Sequence, residues 1–550
     1  MFVLRILRQC FLMAVVVGCS GAILTAQTNV SKTGKTPNQQ SLIDKNDFTE
    51  KGTEAFGRGE TEAARKLFEQ AVKSNPNNWM AHNYLGILDD GAGDLKNAEI
   101  HFAKASRLNP KSAAMRNNYG AILLKLNRRR EAAAEFEASL KLDTKQANAL
   151  INLAQIRFNE NTPAALQASF DLFERAALLV ADPSVERSLV VIALRLKNKP
   201  AAAKHYKIYA AQLSTQAGPP DSTIRTELGG ALYEAGLLDE AEAELKAALG
   251  VDAPSSAAVV LLGRVYLARN DIKSAGVLLE TAVARKQATA PIYSLLAVVY
   301  EKAGHYENAI PVMRLAINLQ PESENYRFQY GLLLTNADAP AAAVIRLDEA
   351  LKIFPLSSRL WLARGIANLK KDDNIEAAKS INKAIELDPK FAQAYAYLGL
   401  TKAYVGDYQE AINVYEKALL NDAKLAVVHQ LIADALLQQP GGSDNVRIEA
   451  ELKKSIALAP DLTLAYLTLG KFYIRVQRWT EAAAALNEVT RRSPETAEAY
   501  YQLGRVYARL KLKKESDEAL AKFKELNDSQ KTKSDNELRE AVRRLADVRF

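Results

Sequence analysis

A small residue, glycine or alanine, recurs along most of this 550-residue chain, mostly at intervals of 34 positions. In one instance, Gly52 is followed twelve positions later by Ala64 and sixteen positions later by Phe68. The same small residue recurs at Gly86, Gly120, Gly229, Gly263, Ala297, Gly331, Gly365, Gly399, Gly470 and Gly504. A single hydrophobic core rarely grows past roughly 250–300 residues. The fixed interval therefore predicts a solenoid, in which each unit packs on its neighbours.

One repeat has the residues expected of two antiparallel helices. Small side chains let the two helices approach closely, and the large apolar residue fills the groove between them. A proline ends the second helix, because proline lacks an amide hydrogen and its ring clashes with the preceding turn. Asparagine or aspartate often precedes it, as in Asn75-Pro76 and Asp388-Pro389. The repeat therefore predicts a helical hairpin.

The order of residues resembles the tetratricopeptide repeat (TPR). Leu85-Gly86, the later Ala98 and Phe102, and the turn Gly406-Asp407-Tyr408 are typical of that family. The resemblance implies an all-α, right-handed superhelical solenoid. It also implies that the first helix of each unit lines a concave groove in which a protein or extended peptide binds.

About fourteen units fit between Lys45 and Gln530, and three of them are irregular. Extra residues lie near 161–163, the unit from 184 to 221 is degenerate, and 439–442 is an insertion. Gly218-Pro219-Pro220 suggests a bend between an N-terminal sub-array, 45–221, and a C-terminal sub-array, 222–530. We expect residues 531–550 to form a capping helix, because a solenoid needs a polar end for solubility.

The N-terminus has the pattern of an export signal. Basic residues precede an apolar run from Phe11 to Val17, which is too short for a membrane-spanning helix. Cleavage after Ala26 would make residues 1–26 a signal peptide. Alternatively, residues 1–18 form a lipoprotein signal and Cys19 is lipidated; an uncleaved anchor is a third reading. Residues 27–44 predict a flexible tether. We therefore expect an exported bacterial protein of the periplasm or, as a lipoprotein, of the outer membrane.

Composition argues against nucleic-acid binding and against catalysis. The formal net charge of +8 is spread over the whole chain and forms no dense basic cluster. Cysteine occurs only at Cys10 and Cys19, so disulfides and thiolate metal sites are excluded after that point. The five histidines show no metal-ligand spacing. We expect no catalytic residues, no metal site, no cofactor and no enzymatic activity.

Amide side chains form the first candidate binding cluster. They fall at positions of three successive first helices that should face the groove: Asn83, Asn117, Asn118, Asn152 and Gln155. Asn118 and Asn152 hold the position that resembles the asparagine ladder of peptide-binding members of the family. There an amide uses both its donor and its acceptor on a peptide backbone. A solvated residue of the repeat consensus is the alternative interpretation.

Basic side chains form the second candidate cluster. Lys471 and Arg475 lie four positions apart, and Arg505 and Arg509 occupy the same positions one repeat later. Stacked units would gather these four charges against a partner that carries carboxylates. Tyr404 and Tyr501 would add flat apolar surface. The alternatives are a solvated face for the cations and packing between repeats for the tyrosines.

We therefore predict an exported scaffold that binds a protein or peptide partner in its groove, in cell-envelope assembly or secretion. A membrane contact would pass through a lipid on Cys19, and nucleic acid is not an expected partner. The alternative is a polyanion- or polysaccharide-binding module, or a non-catalytic subunit of a glycan-modifying complex.

Overall fold

The structure is a computed structural model that describes residues 40–214, 221–250, 255–439 and 444–529. These residues form helices and turns, without a strand among them. The predicted all-α solenoid class is therefore confirmed, whereas its handedness and the number of repeats stay predictions. The chain divides into two compact units, residues 1–278 and 279–550. We call them unit 1 and unit 2 and describe each by itself.

Unit 1 contains thirteen described helices and the start of a fourteenth. They are α1 (Gln40–Gly57), α2 (Thr61–Ser74), α3 (Trp79–Gly91), α4 (Leu95–Leu108), α5 (Ala113–Lys125), α6 (Arg129–Leu142), α7 (Ala147–Glu160), α8 (Pro163–Ala177), α9 (Pro183–Arg195), α10 (Lys199–Leu213), α11 (Ser222–Glu234), α12 (Leu238–Leu249), α13 (Ser256–Ala268) and α14 (Ile272–Ala284). The division between the units falls inside α14.

The described helices that lie wholly in unit 2 continue the same alternation. They are α15 (Ala290–Lys302), α16 (Tyr306–Leu319), α17 (Glu324–Asn336), α18 (Pro340–Ile353), α19 (Ser358–Lys370), α20 (Asn374–Leu387), α21 (Ala392–Tyr404), α22 (Tyr408–Asn421), α23 (Ala426–Gln438), α24 (Asn445–Leu458), α25 (Thr463–Arg475), α26 (Trp479–Arg492), α27 (Ala497–Arg509) and α28 (Lys513–Ser529).

Within each unit the helices pack as a series of hairpins. An odd-numbered helix packs along the even-numbered helix that follows it, and α1–α2, α5–α6 and α27–α28 are examples. We number the hairpins by these pairs, so that hairpin 3 is α5–α6. First helices of neighbouring hairpins also touch, as α5 touches α7 and α17 touches α19. Contacts between sequence neighbours are what holds a solenoid together.

The repeating glycines lie where the two helices of a hairpin approach most closely. A Cβ atom added at Gly399 would lie 2.4 Å from Tyr415 Cε1, and one added at Gly365 would lie 2.5 Å from Ile381 Cγ1. A Cβ atom at seven further repeat glycines would clash in the same way with the residue sixteen positions downstream: Gly52–Phe68, Gly86–Phe102, Gly120–Phe136, Gly229–Leu245, Gly331–Leu347, Gly470–Leu486 and Gly504–Leu520. The predicted register is confirmed at these hairpins.

Each fully described turn inside a hairpin contains one residue with a left-handed backbone. It is Lys197 in the degenerate hairpin α9–α10. In the other described turns it stands seven positions after the small residue, at Gly59, Gly93, Asn127, Asn161, Gly236, Asn270, Gly304, Asp338, Asp372, Gly406, Gln477 and Lys511. Glycine reaches such φ values without strain, and other residue types do so at a cost. The second helix often begins with a side-chain cap, as where Asp94 accepts the Asn97 N–H at 3.1 Å.

The irregular repeats still form hairpins. The degenerate segment 184–221 folds as α9 and α10, and the extra residues near 161–163 end α7 with a left-handed Asn161. The junction between α10 and α11 is weaker than the other described junctions in unit 1, and α9 packs against α11 across it. The core is nevertheless continuous there, since Tyr206 and Leu228 belong to one buried cluster.

Several predicted segments lie wholly or partly outside the described residues. These are the signal peptide 1–26 with Cys19, most of the tether 27–44, the break at 218–220 and the capping helix 531–550. α1 begins at Gln40, which is inside the predicted tether. A division between sub-arrays at 221/222 stays a prediction; the two compact units divide at 278/279.

Candidate functional site

The amide cluster lies on α3, α5 and α7, the first helices of hairpins 2, 3 and 4. We predicted that its side chains face the groove, and solvent exposure was expected there. That expectation of exposure is wrong for three members, since the exposed fractions of Asn83, Asn117 and Asn152 are 7%, 8% and 3%. Their role in binding stays a prediction. Asn118 and Gln155 are half-buried. The physical reason is the closeness of successive first helices. α5 packs against α7, and Asn118 on α5 bonds to Asn83 on α3, so side chains of this length are enclosed between the helices.

Polar side chains of successive first helices bond to one another. Asn118 Nδ2 donates to Asn83 Oδ1 at 2.9 Å. Lys125 Nζ lies 2.5 Å from Asp90 Oδ1 on the same two helices. The same connection between helices about one repeat apart occurs in unit 2, in the bonds Ser294–Gln329 and Asn336–Glu301. These bonds link one hairpin to the next, so part of the predicted cluster has a structural role.

Three atoms of the amide cluster are buried and have no hydrogen-bond partner within the described residues. They are Asn117 Oδ1, Asn152 Nδ2 and Gln155 Nε2. A buried polar atom without a partner costs about 1–3 kcal/mol. Together the three atoms are one acceptor and two donors on the neighbouring helices α5 and α7, all enclosed from solvent in this structure. A peptide backbone presents the complementary set, an N–H donor and C=O acceptors.

The predicted basic cluster lies on α25 and α27, and its members differ in their partners. Lys471 Nζ is 2.6 Å from Glu498 Oε1, so its charge is balanced inside the protein. Arg475 Nη1 donates to the Leu437 carbonyl at 2.9 Å. Arg505 and Arg509 are exposed, and their guanidinium groups lie 5.7 Å from the Tyr501 ring centroid and 5.8 Å from that of Trp479.

The two predicted tyrosines keep exposed surface. The exposed fractions of Tyr404 and Tyr501 are 49% and 40%, and the Tyr501 ring centroid lies 5.2 Å from that of Phe523. Arg505, Arg509 and Tyr501 all belong to α27, and they form the part of the predicted basic cluster that still offers charge and flat apolar surface to a partner.

Buried or half-buried polar pairs inside the hairpins were missed from the sequence. His205 Nδ1 lies 2.8 Å from Glu186 Oε2, and His82 Nδ1 lies 3.0 Å from His101 Nδ1. The partners stand 19 positions apart, as they do in Arg116–Glu135 and Arg225–Glu244, while in His429–Glu451 the insertion adds three positions. A search for polar residues at this spacing would have found them. Burial lowers the pKa of both His82 and His101.

A buried acid bridges hairpins 5 and 6. Tyr206 on α10 donates its hydroxyl to Glu244 Oε1 at 3.1 Å, and Arg225 Nη1 lies 3.4 Å from Glu244 Oε2. Burial raises the pKa of the Glu244 carboxyl and outweighs these contacts. Burial also raises the pKa of Tyr209 to about 12. This polar group links α10 to α12 across the weak junction.

Neither a cluster of metal ligands nor a membrane-spanning helix occurs among the described residues. Three or more His, Cys, Asp or Glu side chains nowhere come together there as metal ligands would. Among the described helices, none combines the length and the apolar character that crossing a membrane requires.

Models of the family described as "Tetratricopeptide repeat" match residues 49–113, 232–299, 290–323, 358–391, 392–424 and 467–530. Together these matches cover just over half of the chain, and the same repeat continues between them. The chain belongs to the tetratricopeptide repeat family. Its bacterial lipoprotein type stays a prediction.

Individual relatives are distant. Cellulose synthase operon protein C of Xanthomonas axonopodis pv. citri (strain 306) is 25% identical over 413 residues, which is 66% of this chain and 26% of that protein. Tetratricopeptide repeat protein 37 of Xenopus laevis is 26% identical over 173 residues, 28% of this chain and 11% of that protein. The chain thus spans about a quarter or less of either relative.

Among solved structures, the APC/C hetero-tetramer Cut9-Hcn1 is similar over 84% of this chain and 97% of the matched chain. The sequence identity is 14% and the TM-score is 0.38.

Proposed function

We propose that this TPR scaffold is exported and binds an extended segment of a partner protein in cell-envelope assembly or secretion. The partner segment lies along the first helices of hairpins 3 and 4, where its backbone meets the amide cluster. A tetratricopeptide repeat array suits this task, because neighbouring stacked hairpins present a shared binding surface.

The unpartnered amide atoms carry the proposal. On binding, the three side chains turn toward the groove. Asn117 Oδ1 then accepts a backbone N–H of the partner, and the Asn152 and Gln155 amide groups donate to its carbonyl groups. Each contact satisfies an atom that is otherwise buried without a hydrogen bond. Main-chain recognition of this kind tolerates many sequences, so specificity requires additional contacts.

Arg505, Arg509 and Tyr501 on α27 are a second contact region in this proposal. The two guanidinium groups are exposed, and neither has a carboxylate partner among the described residues. A carboxylate of the partner would form charge-assisted hydrogen bonds with them, while Tyr501 packs against its apolar part.

The test of the amide cluster is crosslinking of the full chain in the native envelope, followed by identification of attached proteins. We expect Asn117→Leu with Asn152→Leu to reduce recovery of a specific partner on the order of tenfold, because two backbone contacts are lost. Asn368→Leu is the matched control, since Asn368 is also buried with an unpartnered amide nitrogen, but on α19. Equal recovery from the three proteins would contradict the peptide-binding role.

The α27 contacts are tested in the same crosslinking experiment. Arg505→Glu with Arg509→Glu reverses two exposed charges, so partner recovery falls while the far-ultraviolet circular dichroism spectrum is unchanged. Arg314→Glu with Lys352→Glu makes the same change of charge at exposed positions on α16 and α18. A similar loss in both double variants would show that only overall charge matters.

Export is tested separately, by cell fractionation and by labelling with radioactive palmitate. We expect the protein in the envelope fraction and the label on Cys19. Palmitate incorporation that persists in the Cys19→Ser variant would rule out lipidation at this residue, and a cytoplasmic protein would rule out export.

The similarity to cellulose synthase operon protein C favours a second candidate, a non-catalytic subunit of a complex that makes or modifies polysaccharides. The alignment between the two proteins extends over 413 residues. Under this proposal the exposed arginines bind a polyanion, and affinity falls steeply with salt. Binding to an acidic polysaccharide that does not change with salt would remove the candidate.

A further inference from the structure

A depression of about 520 Å³ lies between α6 and α7, at the end where α6 begins and α7 ends. Ala133 and Ile156, with exposed fractions of 8% and 5%, supply its apolar lining. Arg129 and Arg130 stand at its α6 side and are exposed. The same two arginines line a second depression of about 450 Å³ at the turn before α6. We call the depression between α6 and α7 the arginine groove.

The carboxylates around the arginine groove already have cationic partners. Arg157 binds Glu137 and Glu160 at 2.6 Å and 2.8 Å. Arg128 binds Glu131 at 2.6 Å and also contacts Glu99.

Glu135, the remaining carboxylate of this part of α6, lies 3.1 Å from Arg116. Arg129 and Arg130 have no carboxylate or hydrogen-bond partner in the described part of the chain. They are therefore the surplus charges of this surface, and neither is needed to neutralise a neighbour.

The groove combines this surplus charge with an apolar lining of limited size. A volume of this order accommodates a few side chains rather than a folded domain. An apolar side chain would contact Ala133 and Ile156, and an acidic neighbour in the same segment would reach Arg129 or Arg130. Guanidinium groups bind carboxylates through paired N–H donors.

We propose that the arginine groove binds a peptide segment of a partner protein in which carboxylates flank an apolar side chain. This is a binding site on the junction of hairpins 3 and 4 that differs from the amide cluster, since it is formed by α6 with the last turns of α7. It adds side-chain specificity to a scaffold whose amide cluster addresses the backbone. The proposals for the arginine groove and for the amide cluster can be tested separately, because they use different ligands and different variants.

The test uses the full chain and fluorescein-labelled peptides with blocked ends, followed by fluorescence anisotropy at low ionic strength. The probe has the sequence Glu-Glu-Leu-Glu-Glu. Its neutral counterpart replaces each glutamate by glutamine, and a third peptide replaces leucine by serine. We expect the acidic leucine peptide to bind and both of the others to bind more weakly. A sulphated disaccharide tests whether a glycan occupies the groove instead.

The variant Arg129→Glu with Arg130→Glu should weaken binding of the acidic leucine peptide on the order of tenfold. Arg129→Gln with Arg130→Gln should weaken it less, and Arg314→Glu with Lys352→Glu should leave it unchanged. Three results overturn the proposal. The first is that the acidic leucine peptide does not bind. The second is that Arg314→Glu with Lys352→Glu weakens its binding as much as Arg129→Glu with Arg130→Glu does. The third is that the disaccharide binds more tightly than the peptide and needs the same two arginines.

Discussion

At each described hairpin turn one residue has a left-handed backbone, whatever its side chain. Five of these residues are glycines, including Gly406 with φ +81°, and the others are polar residues such as Gln477 with φ +59°. The fold therefore demands this conformation even where the residue type opposes it. The strain is local, because the carbonyl and amide groups of the turn still bond normally, as Gln477 N–H does to the Ile474 carbonyl.

Gln477→Gly is expected to stabilise the protein by about 0.5–1 kcal/mol, since the relief of left-handed strain exceeds the extra freedom of glycine in the unfolded chain. The measurement is the thermal midpoint followed by circular dichroism. Gly406→Ala is the matched reverse substitution and should lower that midpoint. A lower midpoint for Gln477→Gly would show that its side chain stabilises the turn.

The positions of the repeat glycines constrain space and not backbone conformation, because they leave no room for a side chain. Gly399→Leu is expected to destabilise the protein by about 1–3 kcal/mol, because any Cβ there collides with the buried Tyr415 ring. Denaturant unfolding of the wild type and variant measures the difference. Gly57→Ala is the control, because nothing lies within 4 Å of a Cβ at that position. An unchanged free energy of unfolding in Gly399→Leu would mean that the two helices of this hairpin do not approach most closely at Gly399.

At the scale of helices, side-chain bonds connect each hairpin to the next. Glu449 on α24 accepts hydrogen bonds from Tyr473 at 2.9 Å and from Arg478 at 2.6 Å, both in hairpin 13, and Lys453 lies 2.8 Å away. Burial raises the pKa of Glu449, but the hydrogen bonds from Lys453, Arg478 and Tyr473 outweigh it and lower the pKa to about 2.

This lowered pKa predicts a stability change with pH. The folded pKa is below the ordinary glutamate value of 4.5, so the stabilising contribution is complete above that pH. It is lost as the pH falls from about 4.5 to about 2. Urea unfolding at several pH values should show a smaller loss for Glu449→Gln than for the wild type. If the free energy of unfolding falls equally with pH in both proteins, Glu449 does not contribute to the pH dependence of stability.

Most of the helices could be predicted from the sequence, and part of the candidate site could not. The interval between small residues depends on local packing, and it located even the hairpins with insertions. The burial of Asn83 and Asn117 depends on how closely α3, α5 and α7 lie, which no pattern within one repeat states. The ion pair of Lys471 with Glu498 was missed for the same reason, since Glu498 belongs to the next repeat.

At the scale of the whole molecule, stability should be distributed rather than central. Within unit 1 each hairpin contacts its neighbours, so damage should spread over a few hairpins only. Gly120→Leu, which overpacks Phe136, is expected to speed amide hydrogen exchange in α3 to α8 and to leave α11 and α12 protected. Mass spectrometry of exchanged peptides measures this. Uniformly faster exchange throughout unit 1 would indicate one cooperative unit instead.

The polar pairs inside the hairpins can prevent helices from packing against the wrong partner helix during folding. Repeats of one shape could dock out of order, because their apolar faces are nearly interchangeable. Glu186 belongs with His205, and Arg225 belongs with Glu244. If α9 docked on α12, Glu186 would face the Glu244 carboxylate in an apolar interior, which is strongly unfavourable. The pairs thus disfavour those docking errors that would bring two carboxylates together in the interior.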